Sequence, residues 1–205
     1  MLKKPEKYDD VQVNQDYTPI RIGGHKGIIM GAEEYTSEAS GNTSLKVSVD
    51  TSKDDDQPSY FAEQYKNDTR DEKKWSNSAI KYVSLKDDDN CVRMLKSFIT
   101  AVENSNPNFK YDWNKDVDQL KGKSVGLVFG LEEYKNQQGE VKTIAKMVQF
   151  RSIDKVENVL EPKVKLLDGT YVSYDDFMEY QENSSAKPSN SSSNEIEITD
   201  DMLPF

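Results

Sequence analysis

The chain of 205 residues carries 27 Lys and Arg against 37 Asp and Glu, a net charge of -10. Its lone Cys91 and lone His25 exclude disulfide frameworks and thiolate or imidazole zinc sites, and leave no second His for a nucleophile-His triad. Leu, Ile, Val and Phe number 44, just above the ~20% level below which chains stay unfolded, so a core is expected over only part of the chain.

No apolar run approaches the ~18 residues of a membrane span, and Met1 to Pro5 leads straight into charge, so neither a span nor a signal peptide is expected. Residues 1–19 hold few periodic apolar positions and read as an extended arm. Gly27 to Tyr35 and Leu45 to Asp50 read as a hairpin, the second strand alternating at period two around a Ser40-Gly41-Asn42 turn. Ala79 to Leu85 is a shorter strand with Ile80, Tyr82 and Ser84 on one face. The main helix begins at Asn90, taken as its cap, and carries a stripe of Met94, Leu95, Phe98, Ile99 and Val102; it stops before Asn106-Pro107. Lys123 to Tyr134 and Val141 to Arg151 form a second hairpin, with Gly139 in its turn, and Asp168-Gly169 makes a third turn. Asn183 to Asn194 contains six Ser, three Asn and no large apolar residue, the composition of a flexible linker. Two long hairpins around one helix, with about five strands, predict a mainly β fold. The specific expectation is a five-stranded Greek-key barrel of the OB-fold type over 20–180, a flexible linker over 181–194 and a disordered acidic tip over 195–205. A β-sandwich would need more strands at regular spacing.

The charge is unevenly spread. Residues 181–205 hold five acids and one base, and Asp54 to Asp56 and Asp87 to Asp89 read as solvated loop tips. In contrast, Tyr60 to Lys86 carries six bases and four acids, Lys121 to Arg151 carries six bases and three acids, and Tyr17 to Gly31 holds Arg21 and Lys26 with no acid. Gly23-Gly24-His25-Lys26-Gly27 lacks the Lys-Ser/Thr ending of a phosphate loop and reads as a turn, one that could bring Lys26 to a phosphate. The Asp runs should diverge and hold no metal, and no nucleophile-base pair is visible, so a non-enzymatic protein without cofactors is expected.

Aromatics interleaved with bases suit single-stranded nucleic acid, because rings stack on bases at roughly 1–3 kcal/mol each while Lys and Arg follow the backbone. The candidate stackers are Tyr60, Tyr65, Trp75 and Tyr134, since Tyr and Trp tolerate exposure, whereas Phe129 and Phe150 belong in the core. The candidate phosphate partners are Arg21, Lys26, Lys66, Arg70, Lys74, Lys123, Lys142, Lys146 and Arg151. Asp200, Asp201, Met202, Leu203, Pro204 and Phe205 form a second kind of site. The Phe205 ring can fill a partner's apolar pocket while the Asp pair meets a basic rim.

Residues 200–205 resemble the acidic tip of bacterial single-stranded-DNA-binding proteins, Asp-Asp-x-(Ile/Leu)-Pro-Phe. The body resembles the single-stranded-DNA-binding proteins of phages of Gram-positive hosts. The similar segments are Lys4-Pro5-Glu6-Lys7-Tyr8-Asp9-Asp10, Gly23-Gly24-His25-Lys26, Glu63 to Arg70, Phe98 to Phe109 and Leu120 to Thr143. The resemblance implies an OB-fold that coats single-stranded DNA during phage replication and recombination in the cytoplasm of the bacterial host. It also implies a tip that recruits replication or recombination proteins, with Pro204 and Phe205 as anchors and Asp200 and Asp201 as electrostatic support. Two other readings stand beside it: a protein-only adaptor or decoy for host tip-binding pockets, and a strand-annealing recombination protein. Oligomeric state is not written in the sequence; a homodimer is the working assumption.

Overall fold

The computed structural model describes residues 3–6, 8 and 18–185, the last three by backbone alone. It is mainly β, with seven strands in one mixed sheet and three α-helices. Strand β1 (Gly23–Thr36) is long enough to serve two neighbours. Gly23 to Ile28 pairs with β4 (Ser124–Lys135), and Gly27 to Thr36 pairs with β2 (Thr43–Thr51). A bulge between Ile29 and Gly31 bends the strand between these two partnerships, as an extra residue on one side of a ladder does. β2 pairs with β3 (Ile80–Ser84), and β4 pairs with β5 (Val141–Arg151), all antiparallel. Two-residue strands β6 (Val164–Lys165) and β7 (Tyr171–Val172) extend the other side of β4, with Lys165 parallel to Glu132. The sheet order is β3-β2-β1-β4-β6-β7, with β5 also on β4.

Alternation places Ile29, Ala32, Leu45, Val47, Val49, Val83, Val125, Leu127, Phe129, Met147 and Phe150 inside. The stripe of α2 (Asp89–Ser105) faces the same core through Phe98, Ile99, Ala101 and Val102, and Phe98 lies 4.4 Å from the Phe150 ring. Phe129 and Phe150 are thus core residues, as expected. The Gly139 turn of the β4–β5 hairpin and the Gly169 turn between β6 and β7 both adopt positive φ, which glycine accepts without strain.

Several expectations change. The N-cap of α2 is Asp88, not Asn90: its carboxylate accepts from the Asn90 and Cys91 amides at 3.1 and 3.0 Å. The run Asp87 to Asp89 therefore starts a helix. Met94 stands on the solvent side of α2, 51% exposed, outside the buried stripe. Two helices are additional. α1 (Tyr60–Asn67) begins after Ser59 in a left-handed conformation, and Ser59 gives no side-chain cap. The buried Asp50 supplies that role from β2, accepting from the Phe61 and Ala62 amides at 2.8 and 3.2 Å. α3 (Tyr174–Ser185) continues through residues 181–185, where the linker was expected to begin. The rest of the linker, the tip and most of the N-terminal arm lie outside the described residues. Among the described residues no helix is long and apolar enough to cross a membrane.

Gly23 to Gly27 is strand, not turn. It pairs with β4, and its glycine serves a close approach: a Cβ on Gly24 would strike the Val156 carbonyl, because the chain after β5 crosses directly over β1 and β4 there. Glycine at 24 permits that close approach.

Candidate nucleic-acid interface

The expected contact residues fall into three groups. The first surrounds the start of β1, where charges are tied to one another. His25 is buried; Nδ1 lies 2.8 Å from Asp55 Oδ1 and Nε2 lies 2.9 Å from the Arg21 carbonyl oxygen. Both neighbours are acceptors, so each ring nitrogen faces a group to which it can donate. Asp55 also accepts from the Lys26 amide at 2.7 Å and the Gln57 amide at 3.0 Å. Burial pushes the Asp55 carboxyl upward, but the bond from His25 and these amides outweigh it, and the group sits below the usual carboxylate range. Asp54 to Asp56 do diverge. Asp55 turns inward, and Asp56 meets Arg21 at 3.1 Å, so only part of this run is a solvated loop tip. Lys26 pairs with Glu157 at 3.1 Å. The motif is a structural corner that ties β1 to the β2–α1 connection.

The second group lies on and after α1. Tyr60 and Trp75 are half-buried against the core; Tyr60 stands edge-on to Phe61, and Trp75 Nε1 donates to the Val49 carbonyl at 3.1 Å. These two rings serve the fold, which leaves Tyr65, 41% exposed, as the accessible one. The Tyr65 ring lies 5.8 Å from Trp75, and Lys73 sits 5.9 Å from its centroid. Lys66 and Lys74 are exposed. Arg70 is held in a two-point bond by Asp68, whose carboxyl that contact lowers to about 2.

The third group lies on the β4–β5 hairpin, and it is scattered. Lys123 covers the Phe109 ring at 4.6 Å. Tyr134 and Lys142 are cross-strand partners near the hairpin tip, with Lys142 also 3.2 Å from Glu140. Arg151 is exposed beside Gln149 and Val148, in a separate shallow groove. Lys146 is the member that joins a larger assembly.

That assembly is a concavity of about 440 Å³ between β3 and β5, where the two ends of the curled sheet face each other, with Pro162 to Lys165 as its third wall. Lys81, Lys146, Lys163 and Lys165 line it against a single acid, Glu132, and Tyr82 and Tyr171 are its rings. Glu132 is shared, 2.7 Å from Lys165 and 3.2 Å from Lys146. The Lys165 bond, and then the Lys146 contact, hold the Glu132 carboxyl low against burial. Burial drives the Lys81 ammonium down from its ordinary value, and the neighbouring Lys146 charge adds to this. One carboxylate thus serves several ammonium groups, and an incoming phosphate would relieve the excess.

The register explains the placement. Lys46 and Tyr82 are Cα partners, as are Glu33 and Lys46, so Tyr82, Lys46 and Glu33 form one outward row across β3, β2 and β1. Tyr35, in a neighbouring position, brings its ring to 5.5 Å from Tyr82 at 57°. Tyr35, Tyr82 and Tyr171 are 41%, 47% and 60% exposed, open aromatic faces continuous with the lysine-lined gap. Sequence reasoning picked only Lys146 from this set. The signal for two others was present in Lys163-Val164-Lys165: with Val164 buried, alternation sends both lysines to the opposite face. Among the described residues no group of three His, Cys, Asp or Glu could hold a metal ion. Neither models of known protein families nor curated protein sequences match this chain.

Proposed function

We propose that this protein binds single-stranded DNA with little sequence preference and without catalysis. The observation that carries the reading is the concavity between β3 and β5, with four lysines against one glutamate and exposed Tyr82 and Tyr171 at its edge. Lysines neutralise phosphates regardless of base, and every base has a π-face to stack on, so this pairing of groups gives affinity with low selectivity. Tyr35, Tyr82 and Tyr171 are the stacking rings, and Lys81, Lys146, Lys163 and Lys165 the phosphate partners. Tyr65, Lys66 and Lys74 offer a further basic aromatic surface.

The order of connections supports the finer reading of an OB-fold. β1 pairs with both β2 and β4, β3 follows β2, the helix α2 lies between β3 and β4, and β5 returns on β4 to face β3. In that reading β1 to β5 make the barrel, and β6, β7 and α3 are an appendage. The chain acts in phage replication and recombination in the host cytoplasm, and its Asp200 to Phe205 tip recruits partner proteins.

Fluorescence anisotropy with labelled oligo-dT, oligo-dA and a duplex of equal length tests this. Similar affinity for both single strands and weaker binding to duplex is expected. Absence of single-strand binding would instead favour the adaptor reading. Removal of Leu203 to Phe205 should leave DNA binding intact or tighter while abolishing partner capture.

A further inference from the structure

β3 starts at the basic concavity with Ile80 and Lys81 and leads out to Leu85, which lines a second groove of about 600 Å³ and opposite character. Its floor is apolar: Leu85 after β3, with Leu95 and Ile99 from α2. One wall is aromatic. Trp113 is 69% exposed, and its ring stands at 4.8 Å and 73° to Tyr111. The rim is acidic, with Glu33, Glu34, Asp116 and Asp118 against Lys115 alone.

The lysines that could compensate these acids are engaged or outnumbered. Lys46 bonds Glu33 at 2.6 Å, and Lys115 approaches Asp112 at 3.5 Å. Among the described residues, neither the Glu34 nor the Asp118 carboxylate has a Lys, Arg or His at ion-pair distance. The Tyr111 hydroxyl responds to this environment: burial raises it first, and the Asp116 and Glu34 charges push further in the same direction. Nucleic acid is excluded here by charge, and a neutral apolar ligand would leave the carboxylates unused.

We propose that this groove docks a segment of a partner protein that carries a Lys or Arg beside a bulky apolar residue. The cation lies over the Trp113 face and against Glu34 and Asp118. An indole is the best aromatic partner for a cation, and a carboxylate bond to an ionised donor is among the stronger hydrogen bonds. The neighbouring apolar side chain covers Leu85, Leu95 and Ile99. The inference is independent of DNA binding, because it uses none of the residues of the basic concavity.

The test uses the full chain without DNA and a fluorescein-labelled hexapeptide, Lys-Arg-Leu-Phe-Arg-Leu, read by anisotropy. Saturable binding is expected, at least tenfold weaker when Leu and Phe become Ser and absent when the basic residues become Glu. Glu34→Lys/Asp118→Lys and Trp113→Ala should each weaken it at least tenfold. Trp113→Ala leaves the charge of the protein unchanged, so its loss of binding separates the groove from general attraction to an acidic chain. Equal binding by Trp113→Ala would overturn the proposal. So would sedimentation showing a wild-type dimer that Glu34→Lys/Asp118→Lys converts to monomer, since a second copy would then cover the groove.

Discussion

The corner at the start of β1 and the concavity between β3 and β5 use the same kinds of residue to opposite ends. At the corner, His25 and Lys26 sit in a conspicuous glycine-rich motif, yet each ring nitrogen and amide is already matched to an acceptor on Asp55 or the backbone. In the concavity, lysines from three separate segments converge on one shared glutamate, and their charge exceeds what the protein supplies to balance it. Satisfied charges hold a fold together, and unsatisfied ones that face solvent are available to a ligand. The difference lies in partners, which a motif does not display.

The largest effect that separates the two regions is expected from Asp55→Asn. Breaking a buried pair by removing one charge costs about 3–5 kcal/mol, so denaturant unfolding should shift strongly while the folded fraction binds oligo-dT as the parent does. Acid should act through the same residue. Because the folded Asp55 carboxyl lies below its unfolded value, its contribution is complete above the unfolded value and disappears as pH falls through the folded one. Asp55→Asn should flatten that part of the stability-pH curve, which thermal melts between neutral and acid pH would record.

Lys146→Ala/Lys163→Ala should do the reverse. Hydrogen bonds to charged groups contribute about 1.5–3 kcal/mol each, so the pair should weaken oligo-dT binding by at least about a hundredfold and leave the melting temperature nearly unchanged. Tyr82→Ala should cost about 1–3 kcal/mol of binding, the usual effect of losing one stacking ring, measured in the same anisotropy assay. Lys81 adds a pH signature. Its ammonium is depressed in the free protein and recovers beside a phosphate, so affinity should fall as pH rises through the depressed value. Lys81→Arg should remove that dependence. Smallest of all should be Lys26→Ala, whose exposed pair with Glu157 implies under about 1 kcal/mol in either stability or binding.

Much of the scaffold was legible because its signals are local. Period-two alternation in Leu45 to Asp50, the helical stripe around Phe98 and Val102, and the Gly139 and Gly169 turns each sit within one short segment. α1 was not legible, because its cap is Asp50, across a loop from the helix it serves. Gly23 to Gly27 looked like a turn, but the glycine at 24 answers to Val156, more than a hundred residues away in sequence. The site was only partly legible for the same reason. Lys81, Lys146 and Lys165 become neighbours through β3, β5 and β6, and net charge over a segment does not reveal which lysines meet an acid. Trp75 looked suited to stacking until the Val49 carbonyl claimed its one donor.

The overall charge of -10 bears on affinity, because an acidic chain repels the DNA polyanion and offsets part of what the local lysines gain, to a degree that salt changes. The most direct measurement is therefore oligo-dT titration across salt concentrations for the parent and for Lys146→Ala/Lys163→Ala. Neutralising about 4–6 phosphates predicts a log K against log salt slope of roughly -3 to -4 for the parent, reduced by about 1.4 in the variant. A flat response in the parent, or the same slope in both proteins, would contradict DNA binding through the β3–β5 concavity.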